Sequence, residues 1–306
     1  MVKKLRSKYS IFIHEPLGEK IFDIFLYIFM IFIIFVTLYP FLNVIAVSFN
    51  DSTDTIKGGI TIFPRVPTLK NYEKIFEFPL ILTGLRTSFL RTVIGTTCTV
   101  FCSAMVAYTI SRADFIFRKF VTGLFLITMY VGAGIIPFFM VIRMFGLNNN
   151  FWVYIIPNLV GAYYLIVMRS FFQQLPYSLQ ESAFIDGATD LTVFFRIILP
   201  LSLPVVATIA LFAAVFQWNS WFDTYLFAIS NDNITTLQYE LQKILQQSNA
   251  QQSNPNPDAA LLMASAVSPR SFRMAMIVVS AFPIVVVYPF VQKYFVTGMT
   301  LGAVKS

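Results

Sequence analysis

Long, uninterrupted apolar runs organise this chain, in place of the alternation of a strand or the one-sided stripe of a soluble helix. Six can be marked, at residues 22–48, 88–110, 120–142, 151–170, 200–229 and 271–294. Each is near or above the ~20 residues that carry a helix across about 30 Å of hydrocarbon at 1.5 Å per residue. Backbone groups in lipid have no water to bond, so runs of this kind predict helices and the chain reads as an all-α integral membrane protein of six spans. An even number of spans puts both termini on one side. The 151–170 run is interrupted by Pro157 and Gly161, and the third carries Gly132, Gly134 and Pro137, which mark close packing, a kink or a hinge.

The polar stretches between the runs set orientation. Lys3, Lys4, Arg6 and Lys8 cluster at the N-terminus, and Arg112, Arg118 and Lys119 crowd the short 111–119 loop. Basic residues in short loops favour the cytoplasmic side. Residues 1–20 are therefore expected to be a cytoplasmic segment and 21–306 a transmembrane domain, with both termini inside a bacterial plasma membrane. Residues 11–20 separate the basic cluster from a first run too long for a signal peptide, so that run is expected to be retained as a span. Two long outer connections result, 49–87 and 230–270, rich in turn formers such as Gly58, Gly59, Pro64 and Pro67. The stretch 246–258, with its Gln, Asn, Ser and Pro, reads as a flexible solvated loop.

Composition agrees with a bilayer as solvent: 57% of residues are hydrophobic, 12% are charged, and the mean hydropathy is +0.71. The net charge of +7 is scattered along the chain apart from the N-terminal cluster, which argues against nucleic acid as a partner. Cys98 and Cys102 stand four apart in an apolar run and read as small packing residues, and with His14 as the single histidine no metal site of the usual type is expected. No Gly-x-x-x-x-Gly-Lys-Ser/Thr loop is present, so this chain has no nucleotide-binding motif of its own.

The most informative inner loop spans 173–199. Pro176 suits a first helical turn, Ser178 with Glu181 fits capping-box spacing, and Gly187 supplies a stop. Beyond it, Leu191, Phe194, Phe195 and Ile198 mark a second amphipathic stretch before Pro200 opens the next span. A short helix of this kind at the inner face can slot into a groove on another protein and move as a rigid body with the spans it joins.

The run Glu181-Ser182-Ala183-Phe184-Ile185-Asp186-Gly187-Ala188, followed by Phe194, Ile197, Leu199 and Pro200, resembles the EAA loop of binding-protein-dependent ABC importer permeases. Ser182 stands where that family usually has Ala. The resemblance extends over most of the chain to the carbohydrate-uptake, maltose-permease-like branch, carried by Pro67-Thr68-Leu69-Lys70-Asn71-Tyr72, Ala107-Tyr108-Thr109-Ile110-Ser111-Arg112 and Trp218-Asn219-Ser220-Trp221. The C-terminal Tyr288-Pro289-Phe290-Val291-Gln292-Lys293-Tyr294-Phe295, with Gly302-Ala303-Val304-Lys305, is most similar to the LplC-like group of that branch.

This resemblance implies a six-span ABC importer transmembrane domain with a cytoplasmic coupling helix. It implies Glu181, Ser182, Ala183, Asp186, Gly187 and Ala188 as the ATPase-docking residues. The implied partners are a second homologous permease subunit, two ATP-binding subunits that hold ATP and Mg, and an extracytoplasmic solute-binding protein. An oligosaccharide is the implied substrate; the permease itself would be non-catalytic and hold no cofactor. Glu181 and Asp186 could equally serve as local helix caps.

A substrate path is sought among polar groups at membrane depth: Asn158, Tyr163 and Tyr164 in the fourth run, and Gln217, Trp218, Asn219, Trp221 and Asp223 in the fifth. Aromatic faces with amides and a carboxylate suit sugars, although Trp also belongs to interfacial belts and polar groups beside Pro157 also serve helix packing. Rival readings are an ABC permease for a non-sugar solute, an ion-coupled secondary transporter, for which Asp223 in the fifth run is the acidic candidate, and an intramembrane enzyme, for which no suitable constellation exists.

Overall fold

The computed structural model describes residues 17–251 and 268–303. The N-terminal basic cluster and His14, the Asn254–Pro257 turn run, and Val304 and Lys305 lie outside the described residues. Among the described residues all regular structure is helical, apart from one isolated bridge between Asn50 and Pro67. Their contacts divide them into two units, one within Met1–Tyr72 and Ala260–Val278, the other within Glu73–Ala259 and Val279–Ser306.

The first unit contains α1 (Leu17–Ser48), whose large apolar side chains are exposed on every side, from Ile21 and Phe25 to Phe35 and Phe41. A helix apolar all round is at home only in lipid or against other membrane helices. The following connection is ordered by Asn50. Its Oδ1 accepts from the Arg65 and Val66 amides at 2.8 and 2.9 Å, and its Nδ2 donates to Asp54 and Thr55. Asp51 caps α2 (Ser52–Ile56) through the Thr53 amide, and Arg65 pairs with Asp54 at 2.9 Å. The Asn71 and Tyr72 of the Pro-Thr-Leu-Lys-Asn-Tyr run close this fold: Asn71 Nδ2 donates to the Ser48 and Asn50 carbonyls, and the Tyr72 hydroxyl meets Ser48 Oγ at 2.7 Å. The short α3 follows (Lys70–Glu77).

The second unit is built on α4 (Pro79–Ser111), 33 residues long. Its buried stripe is small and polar rather than greasy: Gly84, Ser88, Arg91, Gly95, Thr99, Ser103 and Ala107 recur at helical spacing. In a membrane such a stripe lets backbones approach closely, while the apolar side chains face outward. The contacts bear this out: a Cβ on Gly84 would lie 3.0 Å from the Leu237 amide nitrogen, and one on Gly95 would lie 2.6 Å from Gln217 Nε2. Cys98 and Cys102 are free thiols on this helix, and Cys98 packs against a buried apolar cluster with Ile142, Tyr154 and Phe227.

After α4 come α5 (Arg118–Tyr130), α6 (Ile135–Met144), two 3₁₀ turns (Phe151–Tyr154 and Ile156–Asn158), α7 (Ala162–Phe172) and α8 (Ser178–Ile185). Then follow α9 (Asp190–Val193), a π-helical turn (Phe194–Ile198), α10 (Leu199–Leu201), α11 (Leu203–Asn219) and α12 (Phe222–Phe227). The last elements are α13 (Leu237–Gln251) and α14 (Pro269–Ala303). The largest core cluster joins Ala104, Ala107 and Tyr108 of α4 with Leu165, Met168 and Phe172 of α7, Phe194 and Ile198 of the π turn, and Val205 and Ile209 of α11.

Among the described residues three helices are long and apolar enough to cross a membrane, within Gly18–Ser48, Pro79–Ser111 and Pro269–Pro289, and two bent helix pairs raise this to as many as five. Several expected boundaries move. The second run begins as helix at Pro79, nine residues before the apolar stretch, because Pro79 sits in the first helical turn, where its missing N–H costs nothing. The third run is two helices, divided at 131–134, where Gly134 has φ +83°. The fourth opens as 3₁₀ turns around Pro157 and bends by 45° into α7. The fifth starts at Leu203 rather than Pro200: Ser202 is the cap residue, Pro204, which has no N–H, sits in the first turn, and α11 leaves α9–α10 at 84°. The stretch 246–258, expected as loop, is helical as far as Gln251 in α13.

Candidate docking helix and membrane-depth site

The 173–199 segment forms a two-helix loop whose first helix, α8, turns one face inward and one outward. Gln180 is buried and Ala183 and Phe184 half-buried, at i, i+3 and i+4, while Glu181, Ser182, Ile185, Asp186 and Gly187 are exposed. Ile185 is 81% exposed, a large apolar side chain beside two carboxylates. Among the described residues neither Glu181 nor Asp186 makes an ion pair.

The capping-box expectation is corrected here. The helix begins one residue earlier, with Tyr177 at the cap position and no side-chain cap, and Ser178 is already helical, its carbonyl accepting from Ser182 Oγ at 2.8 Å. Glu181 is therefore not held as a cap partner of Ser178. The C-terminus behaves as expected: Gly187 has φ +81°, its amide donates to the Phe184 carbonyl, and the Ala188 amide donates to Ala183 at 2.9 Å. This two-bond stop needs a left-handed residue, for which glycine pays no Cβ penalty.

What holds α8 in place is α4. The Tyr108 hydroxyl lies 3.5 Å from Gln180 Oε1, and the Tyr108 ring packs on Phe194 at 5.4 Å. Arg112, just past the end of α4, reaches both Asp114 and Asp190 and stacks its guanidinium over Phe184 at 5.2 Å. These carboxylates drive the Arg112 pKa further up, with Asp114 the larger influence, and the Arg112 hydrogen bond in turn holds Asp114 below the usual carboxylate range. Arg169 donates to the Ile110 carbonyl at 3.2 Å, fastening α7 to the same end.

The membrane-depth candidates separate into two groups. Asn158, Tyr163, Tyr164 and Gln217 line a hollow of about 310 Å³ together with Thr99, Met129 and Phe216. Thr99 Oγ1 donates to the Asn158 carbonyl at 2.9 Å, the Tyr164 ring lies against Gly161, and Tyr163 is half exposed. Trp218 is buried and donates Nε1–H to the Ser280 carbonyl at 2.9 Å, and the exposed Asn219 accepts from Gln238. Trp221 packs edge-on against Phe222.

Asp223 belongs to a cluster centred on Arg91, a residue the linear reading passed over. Arg91 is fully buried. Its Nη1 and Nη2 grip the Asp223 carboxylate, with Nη1 at 3.1 Å from Oδ1, and its Nε and Nη2 donate to Gln217 Oε1 at 3.1 and 3.0 Å. The fifth donor position, on Nη1, reaches the Ser220 carbonyl at 3.2 Å. The guanidinium lies over the Tyr154 ring at 4.3 Å, and Gln217 Nε2 donates to the Tyr154 carbonyl. A signal for this pairing was available: Arg91 lies 21 residues before Arg112 and Asp223 lies 20 after Leu203, so a basic and an acidic residue stand at matching depth in two runs. Among the described residues no cluster of three or more His, Cys, Asp or Glu could hold a metal ion.

A bundle of apolar helices with buried small and polar stripes and an anchored, acid-bearing helix at one end defines a multi-pass membrane transport component. Residues 99–301 match the model of the family described as "Binding-protein-dependent transport system inner membrane component", and the chain belongs to that family. It is 38% identical to the polygalacturonan/rhamnogalacturonan transport system permease protein YtcP of Bacillus subtilis, over 94% of this chain and 99% of that one. It is 35% identical to Protein LplC of the same organism, over 96% of this chain and 98% of that one. A crystal structure of a bacterial ABC transporter involved in the import of the acidic polysaccharide alginate superposes with TM-score 0.85 at 28% identity, covering 92% of this chain and 99% of the other. The chain is thus an all-α permease subunit of a binding-protein-dependent ABC importer, which sets aside the ion-coupled transporter and the intramembrane enzyme.

Proposed function

We propose that this subunit carries an oligosaccharide inward by alternating access, six spans crossing the membrane with both termini in the cytoplasm. It works beside a second homologous permease, above two ATP-binding subunits that hold ATP and Mg and hydrolyse it, and below an extracytoplasmic solute-binding protein. The chain performs no covalent chemistry and holds no cofactor. The sugar assignment draws on relatives whose names specify polygalacturonan, rhamnogalacturonan and, at 31% identity, arabinooligosaccharides, and on the alginate importer. The hollow bordered by Asn158, Tyr163 and Tyr164 offers hydroxyls, an amide and an aromatic face, which suits a molecule with many hydroxyls and apolar C–H faces. Gln217, Trp218, Asn219, Trp221 and Asp223 are less suited to touching sugar, since Gln217, Trp218 and Asp223 spend their polar atoms within the chain.

The observation that carries the docking role is α8 itself: fastened along one face to α4, it presents Glu181, Ser182 and Asp186 with Ile185 on the other, while Gly187 stops it and Ala183 and Ala188 sit at its edge. A carboxylate at such a contact gives directional, charge-assisted bonds to basic groups of an ATPase. ATP-driven closure of the ATPases then favours one permease state because α8 binds differently in the two. The test is ATPase activity of the purified assembly with loaded binding protein, comparing wild type with Glu181→Lys. A loss of stimulation of about tenfold or more, with the assembly intact, is expected from losing a charged contact. Undiminished stimulation would remove Glu181 from the contact, and wild-type permease that captures no ATPase would remove the coupling role of α8.

A further inference from the structure

We infer that Arg91 is a positioning residue for energy coupling: it locks the outer end of a two-helix strut whose inner end bears the docking helix. The inference rests on the proposed docking role of α8. Arg91 lies in α4 and Arg112 follows 21 residues later, just past the end of that helix, which places them about 30 Å apart at 1.5 Å per residue. At the outer point Arg91 joins α4 to the end of α11 through Gln217 and Ser220, and to α12 through Asp223. At the inner point Arg112 joins the end of α4 to Asp190, which opens the segment running through the π turn into α11. Between the two points Ala104, Ala107 and Tyr108 pack against Phe194, Ile198, Val205 and Ile209. The same two pieces of chain are therefore joined at both ends and along the middle.

The outer joint is built to stay closed. All five guanidinium hydrogen-bonding positions are used, the flat face is covered by Tyr154, and Asp223 takes a further bond from the Thr224 amide at 2.9 Å. Gly95 gives Gln217 the room to reach Arg91, because any Cβ there would collide with the Gln217 amide. The Tyr154 hydroxyl extends the joint by donating to the Ile234 carbonyl at 2.7 Å, in the connection that leads to α13. Opening this joint would strand a buried charge, so α4, α11 and the outer connection move together. A displacement of α8 reaches the outer face without being absorbed by slippage between α4 and α11, and a contact at the outer connection returns by the same strut.

The reconstituted importer, complete with partner permease, ATPases and binding protein, tests this with Asp223→Asn, Asp223→Glu and Gln217→Met. The readouts are transport per ATP hydrolysed and the stimulation of ATPase by loaded binding protein, both per assembled complex. Asp223→Asn is expected to lower transport per ATP about tenfold while ATPase subunits still co-purify, within the usual range of coupling between sites. Asp223→Glu is expected to restore most of it, and Gln217→Met, which keeps the ion pair, to lose only a few-fold. Normal coupling in whatever Asp223→Asn complex assembles would overturn the inference, as would failure of both Asp223→Asn and Gln217→Met to assemble, since Arg91 would then serve folding alone. Wild-type complex that shows no binding-protein stimulation would instead refute the docking role on which the inference rests.

Discussion

Two acid-bearing regions of this permease, some 30 Å apart along one helix, treat charge in opposite ways. At Arg91 every donor and acceptor is matched inside the chain, and nothing charged is left over for a ligand. At α8 the carboxylates of Glu181 and Asp186 face outward without an ion pair among the described residues, beside an exposed Ile185. A charge buried at membrane depth is costly unless it is fully paired, whereas a charge at the aqueous face is cheap to hold and remains available. The contrast teaches where to look for function in such a chain: saturated polar clusters hold helices together, and unsatisfied surface groups on a rigid element meet partners.

The sharpest break in that comparison is Arg91→Met. It leaves the half-buried Asp223 and the buried Gln217 without their partner and is expected to cost about 3–5 kcal/mol, seen as a large drop in thermal stability of the purified assembly. Gly95→Val attacks the same cluster through space alone, forcing Gln217 aside; a loss of about 1–3 kcal/mol is expected by the same measurement. At α8, Gly187→Val meets open space but must hold φ +81°, so about 1–2 kcal/mol of local strain should fray the C-terminus of that helix. Hydrogen exchange confined to 183–190 would report it.

Glu181→Lys should leave stability within about 0.5 kcal/mol of wild type, because it removes no contact within the chain. A large destabilisation there would end the contrast between the two regions. The smallest effect concerns pH. The Arg112 hydrogen bond lowers the Asp114 pKa, so its contribution is present above the free-carboxyl value of about 4 and is lost as pH falls through the lower folded value. Stability of wild type and Asp114→Asn should therefore differ at neutral pH and converge below about pH 4. A difference that does not narrow as pH falls through the carboxylate range would show that the Arg112–Asp114 link is not what Asp114 supplies.

Much of the docking region was legible because it is local. A short helix after Pro176 ended by a glycine can be read from local signals, and only the start of the helix was misjudged, by one residue. The small-residue stripe of α4 was less legible, since Gly84, Ser88, Gly95 and Thr99 look like interruptions until helices pack on them. The bend before α11 is not legible in the sequence, where Pro200 reads as the opening of the span, because its 84° angle depends on how the π turn packs against α4 and α7.

By itself the sequence determined that this chain lives in a bilayer, where its apolar runs lie, and that a short acid-bearing helix lies between two of them. These are properties of composition and of neighbours in the chain, enforced by the cost of leaving backbone groups unbonded in lipid. Only the tertiary structure decided that Arg91 meets Asp223, 132 residues away, and that Arg112 meets Asp190, 78 away. Those pairings depend on helices being brought side by side by packing, and in hydrocarbon a charge is tolerated only where such packing delivers its partner.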